Sequence, residues 1–344
     1  MQQPSRTDIN EIGEFGLINR LRQSVQTYHN QTNTGIGDDA AVLEPTDCQR
    51  VVTTDMLLEG VHFDLRYMPL PHLGYKAVAV NISDIAAMNA VPKQITVGIG
   101  LSNRFSVEAV EALYEGIRAA CADYKVDLVG GDTTSSRAGL VISVTALGEA
   151  IPATIARRSG AAKNDIICVT GDLGGAYIGL QVLEREKAAF LENNAQQPDL
   201  EHYKYIIQRQ LRPHARMDII YDLQEQGIVP SSMIDVSDGL ASELLHLAKN
   251  SRMGMQVYEE NLPIDKSTYD TAVEFKLDPI TCVMNGGEDY ELLFTIRQQD
   301  YEKIKNHPDI HFIGYVNDNA GEAHLITKGG TVVPLKAQGF NHFN

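Results

Sequence analysis

Apolar and polar positions along this chain fall into blocks whose period switches repeatedly between that of a helix and that of a strand. DINEIGEFGLINRLRQSV (8–25) carries apolar residues at helical spacing and predicts a first helix. VVTT (51–54) is β-branched and predicts a short strand that runs into Asp55. LGYKAVAVNISDIAAMNA (73–90) is apolar almost all round, the pattern of a buried helix. QITVGIGL (94–101) and LVISVTALGEA (140–150) predict strands, and SVEAVEALYEGIRAACADY (106–124) predicts an amphipathic helix between them. Pro152 and the basic ARRSGA (156–161) break the pattern and place a domain boundary near residue 152, giving domains 1–152 and 153–344.

The second domain opens with the strand DIICVT, the loop GDLGGA (171–176) and a helix to about Lys187. The acidic, Gln/Asn-rich stretch 185–204 reads as a solvated insertion. A helix from Pro213 to Gln226 follows, with Pro near its start. MIDVSDGLASELLHLAKN predicts a strand, a turn and a helix, and YELLFTI and HFIGYV predict late strands.

A chain of 344 residues fits two domains, and 43% hydrophobic with 22% charged residues is globular usage. The net charge of −16 excludes nucleic acid and anionic membranes as expected partners, because both demand a basic face. A phosphate-bearing small molecule remains compatible if a cation mediates the contact. No uncharged apolar stretch reaches the roughly 18 residues that cross a bilayer. The first residues lack the basic and apolar regions of a secretory signal. Cys48, Cys121, Cys168 and Cys282 lie far apart with no ligand-like spacing, so neither a disulfide framework nor a zinc site is expected. A reduced, soluble, cytoplasmic protein is the expectation.

The candidate chemistry lies in the aspartates. Asp38 and Asp39 lie in GIGDDAA, Asp55 in TTDML, Asp132 in GGDTTSS, Asp235 and Asp238 in DVSDGL, and Glu288 and Asp289 in GGEDYE. Nearly all adjoin Gly, Ser or Thr at strand ends, where backbone can approach a ligand closely. Singly, each motif is better explained by turn or capping chemistry. Asp84 is different, because it sits among Ala77, Val78, Val80, Ile82 and Ile85 with no Lys or Arg between 77 and 92. Two carboxylates about 4 Å apart repel by about 4 kcal/mol at an effective dielectric of about 20, so several sharing one pocket require cations. All-oxygen donors point to Mg²⁺ ahead of Ca²⁺ or Mn²⁺, and Mg²⁺ characteristically completes its shell with water and substrate phosphates. No P-loop occurs. GIGDDA follows a polar run rather than a strand, which excludes a dinucleotide fold there. GDLGGA fits either a phosphate cradle or a tight turn.

GEFGLI (13–18), GIGDDAAVL (35–43), TTDMLLEGVHF (53–63), KAVAVNISDIAAMNAVP (76–92), GGDTT (130–134), RSGA (158–161), DVSDGL (235–240), GGEDYELLFT (286–295) and GFNHF (339–343) occur in this order. Together they resemble the thiamine-monophosphate kinases, of the superfamily that includes aminoimidazole ribonucleotide synthetase, over essentially the whole chain. The resemblance implies ATP-dependent phosphorylation of thiamine monophosphate to thiamine diphosphate. It implies an α+β fold of two domains: an N-terminal α/β-sandwich whose sheet pairs across a homodimer, and a C-terminal α/β domain. It further implies that Asp39, Thr53, Thr54, Asp55, Asp84, Asp132, Asp235 and Asp238 hold several Mg²⁺ ions. Asp39, Thr53, Tyr114, Gly131, Asp132, Arg158 and Ser237 would meet ATP, and His62, Glu288 and Phe340 the thiamine phosphate. Asn89 and Phe340 depart from the family pattern, where Gly and Trp or Tyr are usual.

The expected chemistry is in-line transfer of the γ-phosphoryl group onto the terminal phosphate of the substrate, aided by metal and Arg158 without a covalent nucleophile. Two alternatives stand beside it: another ATP-using member of the superfamily, similar to aminoimidazole ribonucleotide synthetase, and a non-catalytic acidic metal-binding protein.

Overall fold

A computed structural model describes residue 7 and residues 9–36, 41–192 and 200–337. The chain divides into two compact units, Met1–Ile85 with Ala90–Pro152, and Ala86–Asn89 with Ala153–Asn344.

The first unit contains, in chain order, α1 (Ile9–Arg22), β1 (Thr32–Thr34), β2 (Val42–Leu43), β3 (Gln49–Leu58), α2 (Leu70–Ala87, whose last two residues group with the second unit), β4 (Val91–Leu101), α3 (Val107–Tyr124), β5 (Asp127–Ser135) and β6 (Val141–Ala150). Four strands form one sheet in the order β3-β6-β4-β5, with β4 and β5 parallel and the other pairings antiparallel. The parallel pair requires a crossover, which α3 supplies. Strand alternation sends Ile142, Val144 and Ala146 of β6 and Ile95, Val97 and Ile99 of β4 into the core. On β3, exposed Val52, Thr54 and Met56 alternate with the more enclosed Val51, Thr53 and Asp55.

Two glycines bring α2 and α3 into backbone contact. A Cβ on Gly116 would overlap the Pro71 carbonyl oxygen, and one on Gly74 would overlap that of Leu113. Gly116→Ala therefore forces the helices apart and is expected to cost at least about 2 kcal/mol, read as a lowered urea midpoint. A midpoint unchanged within error would show that the crossing relaxes without cost.

The second unit contains β7 (Ile166–Thr170), α4 (Gly175–Glu192), α5 (Lys204–Leu211), α6 (Met217–Glu225), β8 (Ser232–Asp235), α7 (Leu240–Ser251), β9 (Gly254–Tyr258), α8 (Lys266–Glu274), α9 (Pro279–Asn285), β10 (Leu292–Ile296), α10 (Tyr301–Ile304), β11 (Ile310–Asn317), β12 (Ala323–Ile326) and β13 (Val332–Pro334). Seven strands form one sheet in the order β13-β12-β9-β11-β7-β10-β8, antiparallel except for β9 with β12. Ile167, Val169, Ile234, Leu293 and Ile313 from the sheet pack with Leu240, Leu244 and Leu247 of α7 in one core.

Several expectations are corrected. Asp55 and Asp132 lie within β3 and β5 rather than at strand ends, because both strands run on past them. The helix expected from Pro213 begins at Met217, because Arg216 before it has a non-helical backbone and bonds the buried Glu291. The stretch read as a solvated insertion is helical to Glu192 and again from Lys204, and 193–199 lie outside the described residues. Asn89 has φ +53°, just past the end of α2. That left-handed position is where Gly is favoured and Asn is the next best residue, and the Asn89 amide donates to the Thr154 carbonyl at 2.8 Å.

Candidate functional site

In the first unit, α2 lies against the enclosed side of β3. The Thr53 hydroxyl donates to Asp84 Oδ2 at 2.5 Å. The Asp55 amide, on the strand edge away from β6, donates to Asn81 Oδ1 at 3.0 Å, and Asn81 Nδ2 donates to the Ala77 carbonyl at 3.0 Å. Asn81 sits one helical turn before Asp84, so one face of α2 both ties down the strand and delivers a carboxylate to it. Burial first, and the neighbouring Asp84 charge second, push the Asp55 carboxyl up to about 6. Two acids thus share a half-buried place.

Asp132 is exposed on β5, at the other edge of the sheet. The pairing row Asp55–Val144–Val97–Gly131 separates the two edge strands by three spacings, roughly 14 Å at about 4.8 Å each. Asp132 therefore stands apart from the Asp55–Asp84 pair. Beside it, a side chain on Gly131 would overlap the Val97 carbonyl. Thr54 points to the opposite face from Thr53 and Asp55, where its hydroxyl donates to the Val144 carbonyl at 3.0 Å. Its side chain is thus no partner of the acid pair, and because the Asp55 N–H faces Asn81, the Thr54 carbonyl of the same peptide faces β6. Tyr114 is 6% exposed on the packed face of α3, where burial raises its hydroxyl to about 12. Its visible role is packing. The His62 Nδ1 accepts from the Leu58 amide at 3.1 Å, so a neutral ring carries its proton on Nε2.

In the second unit, backbone hydrogen bonds lay DVSDGL and GGEDYE side by side. The Glu288 amide donates to Ser237 O at 2.7 Å, the Tyr290 amide to Val236 O at 2.9 Å, and the Val236 amide to Glu291 O at 2.7 Å. The approach is close enough that a Cβ on Gly287 would meet Ser237 O. Glu288 pays for this geometry with a left-handed backbone, φ +67°. The 157–160 turn joins the same region, with Arg157 O accepting from the Met233 amide at 2.8 Å. Glu243, on the first turn of α7, accepts from the Asp238 amide at 3.2 Å. Burial, then Asp235 and Asp238 against the opposing pull of Arg158, raise its carboxyl to about 8. Sequence reasoning missed Glu243; DGLASE carries only the signal of an acid in a first helical turn.

The GDLGGA turn is not a vacant phosphate cradle. Asp289, 1% exposed, accepts from the Gly174 amide at 2.6 Å and the Ala176 amide at 3.2 Å, supplying the protein's own acceptor to the start of α4. Burial lifts the Asp289 carboxyl to about 7 against the pull of Arg209. Next to it, Glu291 takes Arg209 Nη1 at 2.7 Å on one oxygen, and Arg216 Nη1 at 2.8 Å with the Thr170 hydroxyl at 2.5 Å on the other. Burial alone would raise the Glu291 carboxyl, but the two guanidiniums hold it below its ordinary value.

Asp39 and Phe340 lie outside the described residues. Among the described residues no three acids, histidines or cysteines form a ready-made metal shell, and no helix is long and apolar enough to cross a membrane.

The profile of the AIR synthase related protein N-terminal domain matches residues 37–150. Thiamine-monophosphate kinase of Bacillus subtilis is 35% identical over 340 residues, covering 96% of this chain and 100% of that protein. The Aquifex aeolicus protein of the same name is 33% identical, over 97% and 99%. Among solved structures, thiamine-monophosphate kinase from Stenotrophomonas maltophilia superposes with TM-score 0.78 at 33% identity, covering 94% of this chain and 98% of that one. AaThiL complexed with AMPPCP and TMP gives 0.75 at 32%, over 100% and 99%. A hydrogenase maturation protein HypE in complex with ATP, 18% identical with TM-score 0.74, shares the fold.

Proposed function

The chain belongs to the thiamine-monophosphate kinase family and phosphorylates thiamine monophosphate with ATP as donor, and we propose that it does so through Mg²⁺ held by its paired acids and without a covalent intermediate. The observation that carries the metal is the Asp55–Asp84 pair, an all-oxygen donor set with the Thr53 hydroxyl beside it. Bound there, Mg²⁺ would offset the charge brought together when two phosphate anions meet.

Asp39, Asp132, Asp235 and Asp238 are further oxygen donors in this reading, and Thr54 is not one, because its hydroxyl bonds the Val144 carbonyl on the other face. Gly131, Ser237 and Arg158 meet the nucleotide, with the exposed Arg158 guanidinium countering phosphate charge. Tyr114 has no part in this reading, because it is packed away. The His62 Nε2–H donates to the phosphate of thiamine monophosphate, while Glu288 and Phe340 receive its thiamine end. That phosphate is already largely dianionic near neutral pH and needs no general base. Its oxygen forms a bond to the γ-phosphorus as the bond to the β–γ bridging oxygen breaks, leaving ADP. A homodimer is supported by the outer face of β3, where Val52 is 62% and Met56 54% exposed on a regular sheet surface.

Purified protein supplied with Mg²⁺, ATP and thiamine monophosphate is expected to yield ADP and thiamine diphosphate, and EDTA to stop it. Divalent-cation binding with neither product formed would overturn this reading in favour of a non-catalytic metal-binding protein.

A further inference from the structure

Gln210 occupies an unusual place for an amide. It lies on the buried face of α5 with Ile206, Ile207 and Leu211, and is 3% exposed. At that position an aliphatic side chain would fill the space without the cost of burying polar atoms. The amide instead donates from Nε2 to Glu288 Oε2 at 2.5 Å. The backbone of Glu288 is fixed independently, by its left-handed φ of +67° and by its amide bond to Ser237 O. Main chain and carboxylate are therefore both held before any ligand arrives. A carboxylate so held is preorganised, and the entropy of ordering it is not lost again on binding.

We propose that Gln210 is a positioning residue for substrate recognition: it orients the Glu288 carboxylate toward the cationic thiamine moiety of the substrate. This rests on the reading of Glu288 as a substrate contact. The chemistry of thiamine monophosphate fixes which end is meant. Its phosphate repels a carboxylate, whereas its thiazolium cation and aminopyrimidine N–H groups complement one. Gln210 thus acts on the affinity for thiamine monophosphate and leaves ATP and the transfer step alone.

The test compares Gln210→Met, close in volume and without the amide, with Glu288→Gln and the double variant, by steady-state kinetics and thermal melting. Q210M is expected to raise the KM for thiamine monophosphate about tenfold, with kcat and the KM for ATP within about twofold of wild type. The double variant is expected to bind no more weakly than E288Q alone, because the two changes remove one contact. Equal loss toward both substrates, or additive effects in the double variant, overturns the proposal and leaves Gln210 as a packing residue. An E288Q enzyme with unaltered KM for thiamine monophosphate overturns it together with the role of Glu288, while wild-type turnover still reports separately on the kinase reaction. If Q210M does not fold, Gln210→Asn, too short by one methylene to make the bond, enters the same comparison with the same outcomes.

Discussion

Replacing Asp84 with asparagine is expected to reduce turnover by at least about 10³-fold while leaving the ligand-free protein as stable as wild type or more so. Asparagine keeps the shape of the side chain and can still accept the Thr53 hydroxyl, which bonds Asp84 at 2.5 Å. It removes one of two charges in a half-buried place. Burial and then Asp84 raise the Asp55 carboxyl to about 6, so the folded protein holds that proton more tightly than the unfolded chain does. This contribution to stability is present in full below the ordinary carboxylate pKa of about 4 and is lost as pH rises through about 6. Above that the pair is a standing cost, of order 1 kcal/mol once solvent screening is allowed for. D84N should therefore flatten the stability profile between about pH 4 and 6, and raise the melting temperature at pH 7.5 by zero to about 4 °C. The stabilisation that MgCl₂ gives the wild type should shrink in the variant. Thermal melts across pH, with and without MgCl₂, check all three. A fall of 10 °C or more without ligand would identify Asp84 as a structural brace and remove the basis for a metal there.

Glu291→Gln should act in the opposite way, through stability first. Glu291 is 1% exposed and joins Arg209 at 2.7 Å to Arg216 at 2.8 Å. Glutamine leaves two largely buried guanidiniums without the charge between them, a loss of about 3–5 kcal/mol. For a unit of this size the melting temperature should fall by about 10 °C. The wild-type carboxyl is held below its ordinary value, so its contribution is present above that value and disappears as pH falls through the lower folded one. Acid sensitivity from this source should be absent in E291Q. A melting temperature within 2 °C of wild type would mean that the Arg–Glu–Arg arrangement does not hold the second unit together.

The difference between what was and was not legible in the sequence follows the range of the interactions. The helices now labelled α2, α3 and α7 and the strands β4 and β6 declare themselves through local periodicity, and the structure keeps them within a few residues. β5 escaped notice because VGGDTTS has no alternation; β4 imposes its extended form by parallel pairing. α5 escaped because its short apolar stripe follows a polar, charged run. Asp84 was legible because an acid among Val, Ile and Ala is locally anomalous. Gln210, Arg209 and Glu291 were not, since each is ordinary in its own segment and gains its meaning from a partner 78 or 82 residues away. Thr54 differs from Thr53 only in the face to which its strand turns it, and the TTD motif alone does not specify that face.

An internal carboxyl alters how one turn of this protein responds to change. Because Asp289 travels with the chain, the Gly174 and Ala176 amides at the beginning of α4 already have an acceptor in the protein itself. Two of the amides that a phosphate would need in Gly171–Ala176 are thereby taken. Side chains added at Gly171 or Gly174 would meet Glu291 or the α9 backbone, so substitutions at these two glycines are expected to act on stability before they act on nucleotide preference.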